Sequence, residues 1–294
     1  MKKIKTKIKS VSNMKQITKA LEVVATVKLQ KTKEQTENYR EFMTDFLKIM
    51  NAVRTKIDIM NTNEIDQNGR RLIVVMSSEK GLCGNLNSRL FKNIFQKYNE
   101  YKDNVDIFCI GKKSFEFFAR AWFNVVWHVN LTDDFTEDEL TDVYKYILDW
   151  ISDKKYSKIK VYFNYFKNVI TQVPLRFKVY PIDQDSFDSF VQDIGLDLDD
   201  IISDDLTYKD MIVEPDMKMF KQEMLRQFTQ HMLYGAALQN KAGEFAARML
   251  AMKNAKDNAT DMIKDLKLSF NKVRQGLITQ EVTEIMSAKM AIEW

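Results

Sequence analysis

The segment GLCGNLN, residues 81–87, is the part of the sequence whose residue types come nearest to a phosphate-binding loop. It follows a predicted strand and precedes a predicted helix, where a nucleotide-binding fold places its phosphate loop. Dinucleotide-binding loops have the pattern GxGxxG, and P-loops have GxxxxGK[ST]. Neither pattern is present, because Gly81 and Gly84 are separated only by Leu and Cys. We therefore expect this loop to turn the chain rather than to bind phosphate.

The other residues that could do chemistry are not arranged in a recognisable catalytic or metal-binding motif. Cys83 and Cys109 have no CxxC motif and no histidine nearby, which favours two reduced thiols over a metal site. His128 and His231 each stand apart from any serine, cysteine or carboxylate motif, so we expect structural roles for them. No zinc-protease motif or nucleophile elbow is present. The sequence therefore predicts a protein that is not an enzyme and needs no cofactor.

The elements that dominate the sequence are two long amphipathic segments, residues 1–62 and 214–294. The three prolines all lie within residues 174–215, so both ends of the chain are open to unbroken helix. Apolar residues recur at steps of three or four in both segments, which is typical of a helix with one apolar face. The C-terminal stripe is Leu238, Ala242, Phe245, Met249, Met252, Lys256, Ala259, Ile263, Leu266, Phe270, Val273 and Leu277.

That C-terminal repeat alternates strictly between steps of four and three, and only Lys256 is not apolar. A seven-residue repeat over several heptads imposes a left-handed supercoil, so the helix needs a partner along its length. We predict an antiparallel two-helix coiled coil in which residue i pairs near residue 274 − i. The N-terminal helix is then exhausted at about Phe270. Residues 271–294 are expected to extend alone for roughly 36 Å.

The region between the helices, residues 70–182, has the texture of a small α/β domain. Strands are predicted at 72–78, 105–111, 158–166 and 175–182, and helices at 88–101, 112–121 and 136–152. This alternation predicts a Rossmann-like domain with a mostly parallel sheet. The fold class is therefore α/β plus long helices. Residues 183–213, which are rich in Asp, are expected to form an acidic surface linker.

Charge is distributed unevenly along the chain although the net charge is only +4. Residues 1–33 contain ten Lys and one acid, whereas residues 183–216 contain twelve acids and one Lys. The basic end predicts an acidic partner. Nucleic acid is disfavoured as that partner because the basic helix lacks interleaved Arg and aromatic residues. No apolar run is long enough to span a membrane, and we expect no targeting peptide.

Three separated segments resemble the gamma subunit of rotary ATP synthases. The first is IKSVSNMKQITKALEVVATVKL at 8–29, similar to the N-terminal helix of that family. The second is SSEKGLCGNLN at 77–87, similar to a loop in which the family usually has Gly at the position of Asn85. The third and most specific is EFAARMLAMKNAKDNATDMIKDLKLSFNKVRQGLITQEVTEI at 244–285, which follows the C-terminal helix of the family almost position by position.

The resemblance implies a shaft that stands inside a ring of alternating alpha and beta subunits. It implies that the central domain binds the epsilon subunit and the proteolipid ring of the membrane sector, at the cytoplasmic face of a bacterial membrane. Rotation driven by ion flow then drives ATP synthesis in the ring. By the same resemblance, the residues expected to contact alpha and beta subunits are Val23, Lys28, Cys83, Arg248, Arg274, Gln275, Thr279 and Gln280.

Departures from the family pattern keep other interpretations open. Asn85, the acidic stretch after Pro181 and the tail MSAKMAIEW indicate a divergent member. The chain could instead be the rotor of a related ATPase that drives another mechanical task, in which case proteolipid and stator subunits would not copurify with it. A coiled-coil scaffold and a nucleotide-dependent enzyme are further alternatives. The motif-level resemblance weighs against the scaffold, and the missing phosphate loop weighs against the enzyme.

Overall fold

The computed structural model describes residues 1–54, 69–153, 155–181 and 216–292, together with Asp188, Val191 and Glu214. Residues 55–62 of the predicted N-terminal segment therefore lie outside the described residues. So does the predicted acidic linker 183–213, apart from Asp188 and Val191.

The helices and strands of the described residues are numbered in chain order. They are α1 Lys2–Arg54, β1 Arg71–Met76, α2 Leu86–Tyr98, β2 Val105–Ile110, α3 Lys112–Arg120, β3 Asn124–Val129, α4 Thr141–Ser152, β4 Lys158–Phe166, β5 Gln172–Tyr180 and α5 Met217–Ile292. Short 3-10 helices occupy Asn99–Asn104 and Glu137–Leu140.

The two long helices predicted at the chain ends are confirmed as α1 and α5, of 53 and 76 residues. Asp216 caps the start of α5, because its Oδ1 accepts a hydrogen bond from the Met219 N–H at 3.0 Å. Its backbone carbonyl accepts a second bond from the Phe220 N–H, also at 3.0 Å. An aspartate suits this position since it satisfies open N–H groups and favours the positive end of the helix dipole.

Two compact units divide the chain at points inside these helices. The first unit combines Met1–Thr26 with the part of α5 that starts at Arg248. The second unit is Val27–Ala247, so it contains the α/β elements together with the remaining parts of α1 and α5.

The sheet of the second unit has five strands in the order β3-β2-β1-β4-β5. Strand β1 pairs in parallel with both β2 and β4, β2 pairs in parallel with β3, and β4 pairs antiparallel with β5. The mostly parallel sheet is therefore confirmed. The prediction of four strands was wrong, because β3 was missed.

Strand β3 escaped prediction because it is an edge strand with no continuous apolar run. Its sequence, NVVWHV, has no fully buried residue, and Asn124, Trp127 and His128 are exposed. By contrast, β1 is buried at five of its six positions, which is why LIVVM stands out in the sequence. The register shift between Ile107 and Phe108 further disturbs the pairing of β3 with β2.

Side chains alternate between the two faces of the sheet and build two cores in the second unit. Ile73 and Val75 of β1 join a core with residues of α2 and α3. Leu72 and Val74 join a larger core on the other face. Residues of α1 and α5 complete this second core: Met43, Phe46, Leu47, Met224, Phe228, Met232, Leu233, Ala236, Ala237 and Leu238.

Candidate functional site

The first unit explains why one lysine interrupts the apolar repeat of α5. Lys256 Nζ lies 2.7 Å and 3.1 Å from the two carboxylate oxygens of Glu22 on α1. This hydrogen bond raises the pKa of Lys256. Around the pair the helices bury small and apolar residues, including Ala25, Met252 and Ala259. Lys256 therefore belongs to the interface between the two helices, where it forms an ion pair with Glu22 instead of packing against apolar residues.

The antiparallel register of α1 and α5 agrees with the register predicted from the sequence to within one helical turn. In the second unit, a Cβ built on Gly235 would lie 2.9 Å from the ring of Tyr39, which is the predicted partner of residue 235. In the first unit, Glu22 meets Lys256 rather than the predicted residue 252, which is four residues away. The helices approach closely at Gly235 because no side chain separates them there.

The last part of α5 is exposed on all sides. Every residue from 271 to 290 is exposed, whereas Phe270 is still partly covered. The prediction that cover by α1 ends at about Phe270 is confirmed for these residues. The segment is not polar, since it contains the exposed apolar residues Val273, Leu277, Ile278, Val282, Ile285, Met286 and Met290.

Four of the residues expected to contact partner subunits lie in this exposed segment: Arg274, Gln275, Thr279 and Gln280. The Thr279 hydroxyl donates to the Gln275 carbonyl at 3.0 Å, and Gln280 Nε2 donates to Glu284 Oε1 at 2.9 Å. Both bonds stay within the helix. Their groups are therefore held in place on a surface that is open to a partner.

Val23 and Arg248 also belong to the first unit. Val23 is 55% exposed although it is apolar, which suits a partner-facing position. Arg248 is half-buried, so only part of its side chain is open to a partner.

In the second unit, polar side chains fill the space at the carboxyl end of β1, where open α/β sheets place their ligands. Asn87 Nδ2 donates to Ser78 Oγ at 2.6 Å, and Asn87 Oδ1 accepts from the Ser78 N–H at 3.3 Å. The Ser78 hydroxyl donates to the Lys80 carbonyl at 2.7 Å. These groups satisfy one another, so the loop is built to hold its own shape.

At the carboxyl ends of the neighbouring strands β2 and β3, groups of the protein also bond to one another. Gly111 has φ +103°, and a Cβ there would lie 2.3 Å from the Ser77 carbonyl oxygen, so only glycine fits. The carboxylate of Glu79 accepts the N–H of Lys112 at 3.2 Å and that of Leu131 at 2.9 Å. The position that holds phosphate in nucleotide-binding folds is thus occupied by the protein itself.

Cys83 lies in this loop but does not reach the surface. Its thiol is buried against Asn87 Nδ2 at 3.4 Å and Ser78 Oγ at 3.6 Å. The neighbouring Leu82 is 63% exposed and has a positive φ of 65°. A partner that approached this loop would therefore meet Leu82 rather than the predicted contact residue Cys83.

Lys28, another predicted partner contact, is engaged within its own unit. Its Nζ forms an ion pair with Asp133, which follows β3. Asp133 also lies 3.4 Å from Lys241 Nζ of α5, and Lys241 is 3.6 Å from Glu244. The sequence analysis missed Asp133, Lys241 and Glu244. The available signal was a pair of opposite charges three residues apart, flanking the apolar stripe of α5.

Within the described residues, no cluster of three or more His, Cys, Asp or Glu side chains is placed to hold a metal ion. In the same part of the chain, no helix is both long and apolar enough to cross a membrane.

These features define a class of protein in which long N- and C-terminal helices pair with each other, a small α/β unit contains the sheet, and the end of the C-terminal helix is exposed. A family model described as ATP synthase matches residues 1–292. Proteins described as ATP synthase gamma chain from Ruthia magnifica subsp. Calyptogena magnifica and Buchnera aphidicola subsp. Baizongia pistaciae are 32% and 31% identical. The matches cover 99% of this chain in both cases, and 99% and 98% of the relatives. The chain belongs to the ATP synthase gamma chain family.

Solved structures of low sequence identity share the fold. A chain of the Euglena gracilis mitochondrial ATP synthase, described as OSCP/F1/c-ring in rotational state 3, matches with a TM-score of 0.68 and 17% identity. That match covers 99% of this chain and 94% of the other. A chain of the Tetrahymena thermophila mitochondrial ATP synthase, described as central stalk/c-ring, has a TM-score of 0.61 and 22% identity. It covers 81% of this chain and 99% of the other.

Proposed function

We propose that this chain is the rotating central shaft of an ATP synthase, and that it has no catalytic activity of its own. The exposed end of α5 stands inside the ring of alpha and beta subunits. The α/β elements bind the epsilon subunit and the proteolipid ring. Rotation driven by ion flow is passed through the helices to the catalytic subunits, and the chain is peripheral to the cytoplasmic face of the membrane.

One observation carries this proposal: residues 271–290 are exposed on every side and yet rich in apolar side chains. Contiguous exposed apolar surface marks an interaction site. Burying one such side chain stabilises a complex by about 1.5–3 kcal/mol before the costs of association. Because apolar residues lie all round a single helix, a partner that surrounds the helix fits better than one that binds a single face.

Polar residues along the part of α5 that belongs to the first unit supply angular specificity. Arg274 and Gln275 are exposed, and Arg248 is half-buried. A hydrogen bond to a charged group contributes about 1.5–3 kcal/mol. Bonds of this size that form at one rotor angle and break at the next change the barrier between angular states, while the apolar side chains permit sliding.

The absence of catalytic activity is supported by the closed edge of the sheet, where Ser78, Asn87 and Glu79 bond to the protein itself. Calorimetry of the isolated chain with ATP is expected to show no binding in the micromolar range. Saturable micromolar binding would contradict this part of the proposal.

The test of the shaft role is assembly with alpha and beta subunits, followed by rotation of a bead fixed to the second unit through Glu100→Cys. Glu100 is exposed, whereas Cys83 and Cys109 are buried and will not be labelled. The expected result is one chain per ring and stepwise rotation driven by ATP. A chain that does not assemble, or a bead that stays still while ATP is hydrolysed, would contradict the proposal.

A matched pair of variants tests the observation that carries it. Val282→Ser with Ile285→Ser removes two exposed apolar side chains, and Lys272→Ser with Glu281→Ser removes two exposed charged ones at a slightly larger cost in helix propensity. We expect the first pair to lower ATP turnover of the assembled ring by about tenfold and the second to leave it nearly unchanged. Equal turnover in both would show that the apolar surface is not used.

Copurification decides which machine the shaft serves. A synthase is expected to bring proteolipid and stator subunits with this chain from solubilised membranes. A complex with alpha and beta subunits alone would favour a rotor that drives another mechanical task.

A further inference from the structure

A cluster of four charged side chains joins three elements of the second unit. Asp133, in the segment after β3, forms an ion pair with Lys28 of α1 and lies 3.4 Å from Lys241 of α5. Lys241 is in turn 3.6 Å from Glu244 on the same helix. One carboxylate thus bonds two helices that are far apart in sequence. The second unit spans Val27–Ala247, so Lys28, Lys241 and Glu244 lie close to its ends in the sequence.

Burial makes this cluster different from an ordinary surface ion pair. The side chain of Lys241 is 4% exposed and that of Glu244 is 1% exposed. The ring of Phe245 lies against both lysines, with its centroid 5.6 Å from Lys28 Nζ and 5.9 Å from Lys241 Nζ. Removing one partner from a buried pair leaves an uncompensated charge, which is strongly destabilising. The arrangement therefore tolerates little displacement of either helix.

The charge state of Asp133 is consistent with this arrangement. Burial alone would raise its pKa, but the hydrogen bond from Lys28 and the positive charges of Lys241 and Lys28 outweigh burial and lower it. The carboxylate is therefore ionised at neutral pH and bonds both lysines as an anion.

An adjacent pair lacks these features and provides a contrast. Asp134 bonds Lys31 of α1 at 2.8 Å, but the two side chains are 63% and 60% exposed. Exposed pairs of this kind contribute little to stability. Asp134 also contacts one helix in this pair rather than two. The contacts of Asp133 with both helices are therefore specific to position 133, and the acidic character of the segment does not explain them.

We propose that Asp133 is a positioning residue that fixes both long helices to the α/β elements and so allows torque to pass between them. This inference rests on the proposed shaft function. Apolar contacts between helix and sheet permit small slips, because they have no preferred direction. A carboxylate held between the buried Lys241 and the partly buried Lys28 opposes rotation of either helix about its own axis.

The first test needs only the isolated full-length chain. Asp133→Asn keeps the shape of the side chain but removes its charge, and Asp134→Asn is the matched control. Hydrogen exchange is expected to speed up in both helices, at residues 27–33 and 238–247, in the first variant and to stay unchanged in the control. Unchanged exchange in either helix of Asp133→Asn would overturn the inference, because a tie between the helices must affect both.

The second test measures torque in the assembled ring, with the bead fixed at Glu100→Cys. Asp133→Asn is expected to hydrolyse ATP at the wild-type rate without load but to lose at least half of its torque against viscous drag. Asp133→Glu should restore most of that torque, since it keeps the anion. Wild-type torque in Asp133→Asn would overturn the inference. A wild-type chain that does not rotate at all would instead overturn the proposed function.

A third variant keeps the proposal testable if Asp133→Asn does not fold. Lys241→Met removes the buried cation and leaves the pair between Asp133 and Lys28. It is expected to speed exchange in residues 238–247 and to lower the torque, and wild-type values on both readouts would overturn the inference.

Discussion

Two stretches of α5, residues 228–246 and 271–290, carry many apolar residues in opposite environments. In the first, Phe228, Leu233 and Phe245 are each at most 3% exposed and pack within the second unit. In the second stretch every residue is exposed. An apolar stripe on a helix therefore indicates that the stripe is buried in the working protein. It does not indicate whether the same chain or another subunit buries it.

The polar residues of the two stretches differ in the same way. Asn240 Oδ1 accepts the Asn164 N–H and Gln239 Oε1 accepts the Phe166 N–H, both at 3.2 Å, so these side chains bind the helix to β4. In the exposed stretch, Gln280 bonds only within the helix, to Glu284. One stretch has its partners in the chain, and the other presents groups that a different subunit can use.

The largest effect expected from this contrast is on stability. Phe245→Ala should lower the free energy of unfolding of the isolated chain by about 3–5 kcal/mol, because Phe245 is 1% exposed. Leu277→Ala, at a position 38% exposed, should change it by less than about 0.5 kcal/mol. Urea unfolding of both variants measures the difference. Similar losses would show that the exposed stretch is packed against something in the isolated chain.

A second prediction concerns the polar residues proposed to face the ring. Arg248→Ala with Gln275→Ala should lower ATP turnover of the assembled ring by about tenfold, which corresponds to 1.4 kcal/mol in the barrier. Circular dichroism of the isolated chain should be unchanged. The matched control is Lys264→Ala with Lys272→Ala, two exposed positions on the same helix. Lost helicity in the first variant would mean that these residues serve the fold instead.

A third prediction uses pH to test packing in the buried stretch. Burial lowers the pKa of His231, the charge of Arg226 lowers it further, and Glu137 at 3.7 Å only partly opposes them. At neutral pH the imidazole is mostly uncharged in both the folded and the unfolded state. As pH falls below about 6.5, the unfolded chain binds the proton more readily, so stability is lost.

His231→Gln removes the loss of stability that is caused by protonation of His231. The wild type should therefore lose more stability than the variant between pH 7 and pH 5. His128→Gln, at an exposed position, is the control for loss of a surface imidazole. Denaturation midpoints at the two pH values provide the comparison. Parallel losses in the wild type and His231→Gln would show that His231 is not buried among Tyr39, Phe42 and Phe46, the rings that surround it.

The smallest effect is expected at the interface of the first unit. Lys256→Leu with Glu22→Leu replaces the ion pair by apolar side chains and restores the repeat, so thermal stability should be kept or slightly raised. Glu22→Leu alone leaves Lys256 against an apolar partner and should lower the melting temperature. If the double change lowers the melting temperature as much as the single change does, the ion pair at 2.7 Å contributes more than apolar packing at this position.

Much of this architecture could be predicted because it depends on periodicity. The two long helices and the mostly parallel sheet followed from the spacing of apolar residues. The end of helix cover near Phe270 followed from the helix lengths and the predicted antiparallel register. Strand β3 could not be found in this way, because its edge position leaves its residues exposed or half-buried. Its existence depends on pairing with β2, which a local pattern does not record.

Sequence reasoning could predict those residues of the candidate site that are exposed because α1 does not cover them. The sequence places Arg274, Gln275, Thr279 and Gln280 beyond the reach of α1, and the structure finds them exposed. Asp133 is different, because its partners lie more than a hundred residues away on two helices. Only the folded chain brings those charges together.

The central claim is that a ring of alpha and beta subunits surrounds the exposed end of α5, and a cryo-EM map of the native complex tests it most directly. The account predicts density from both kinds of subunit around residues 271–290, with the side chains of Leu277 and Val282 buried against them. A map in which this stretch remains exposed to solvent, or lies against a single partner on one face, would contradict it.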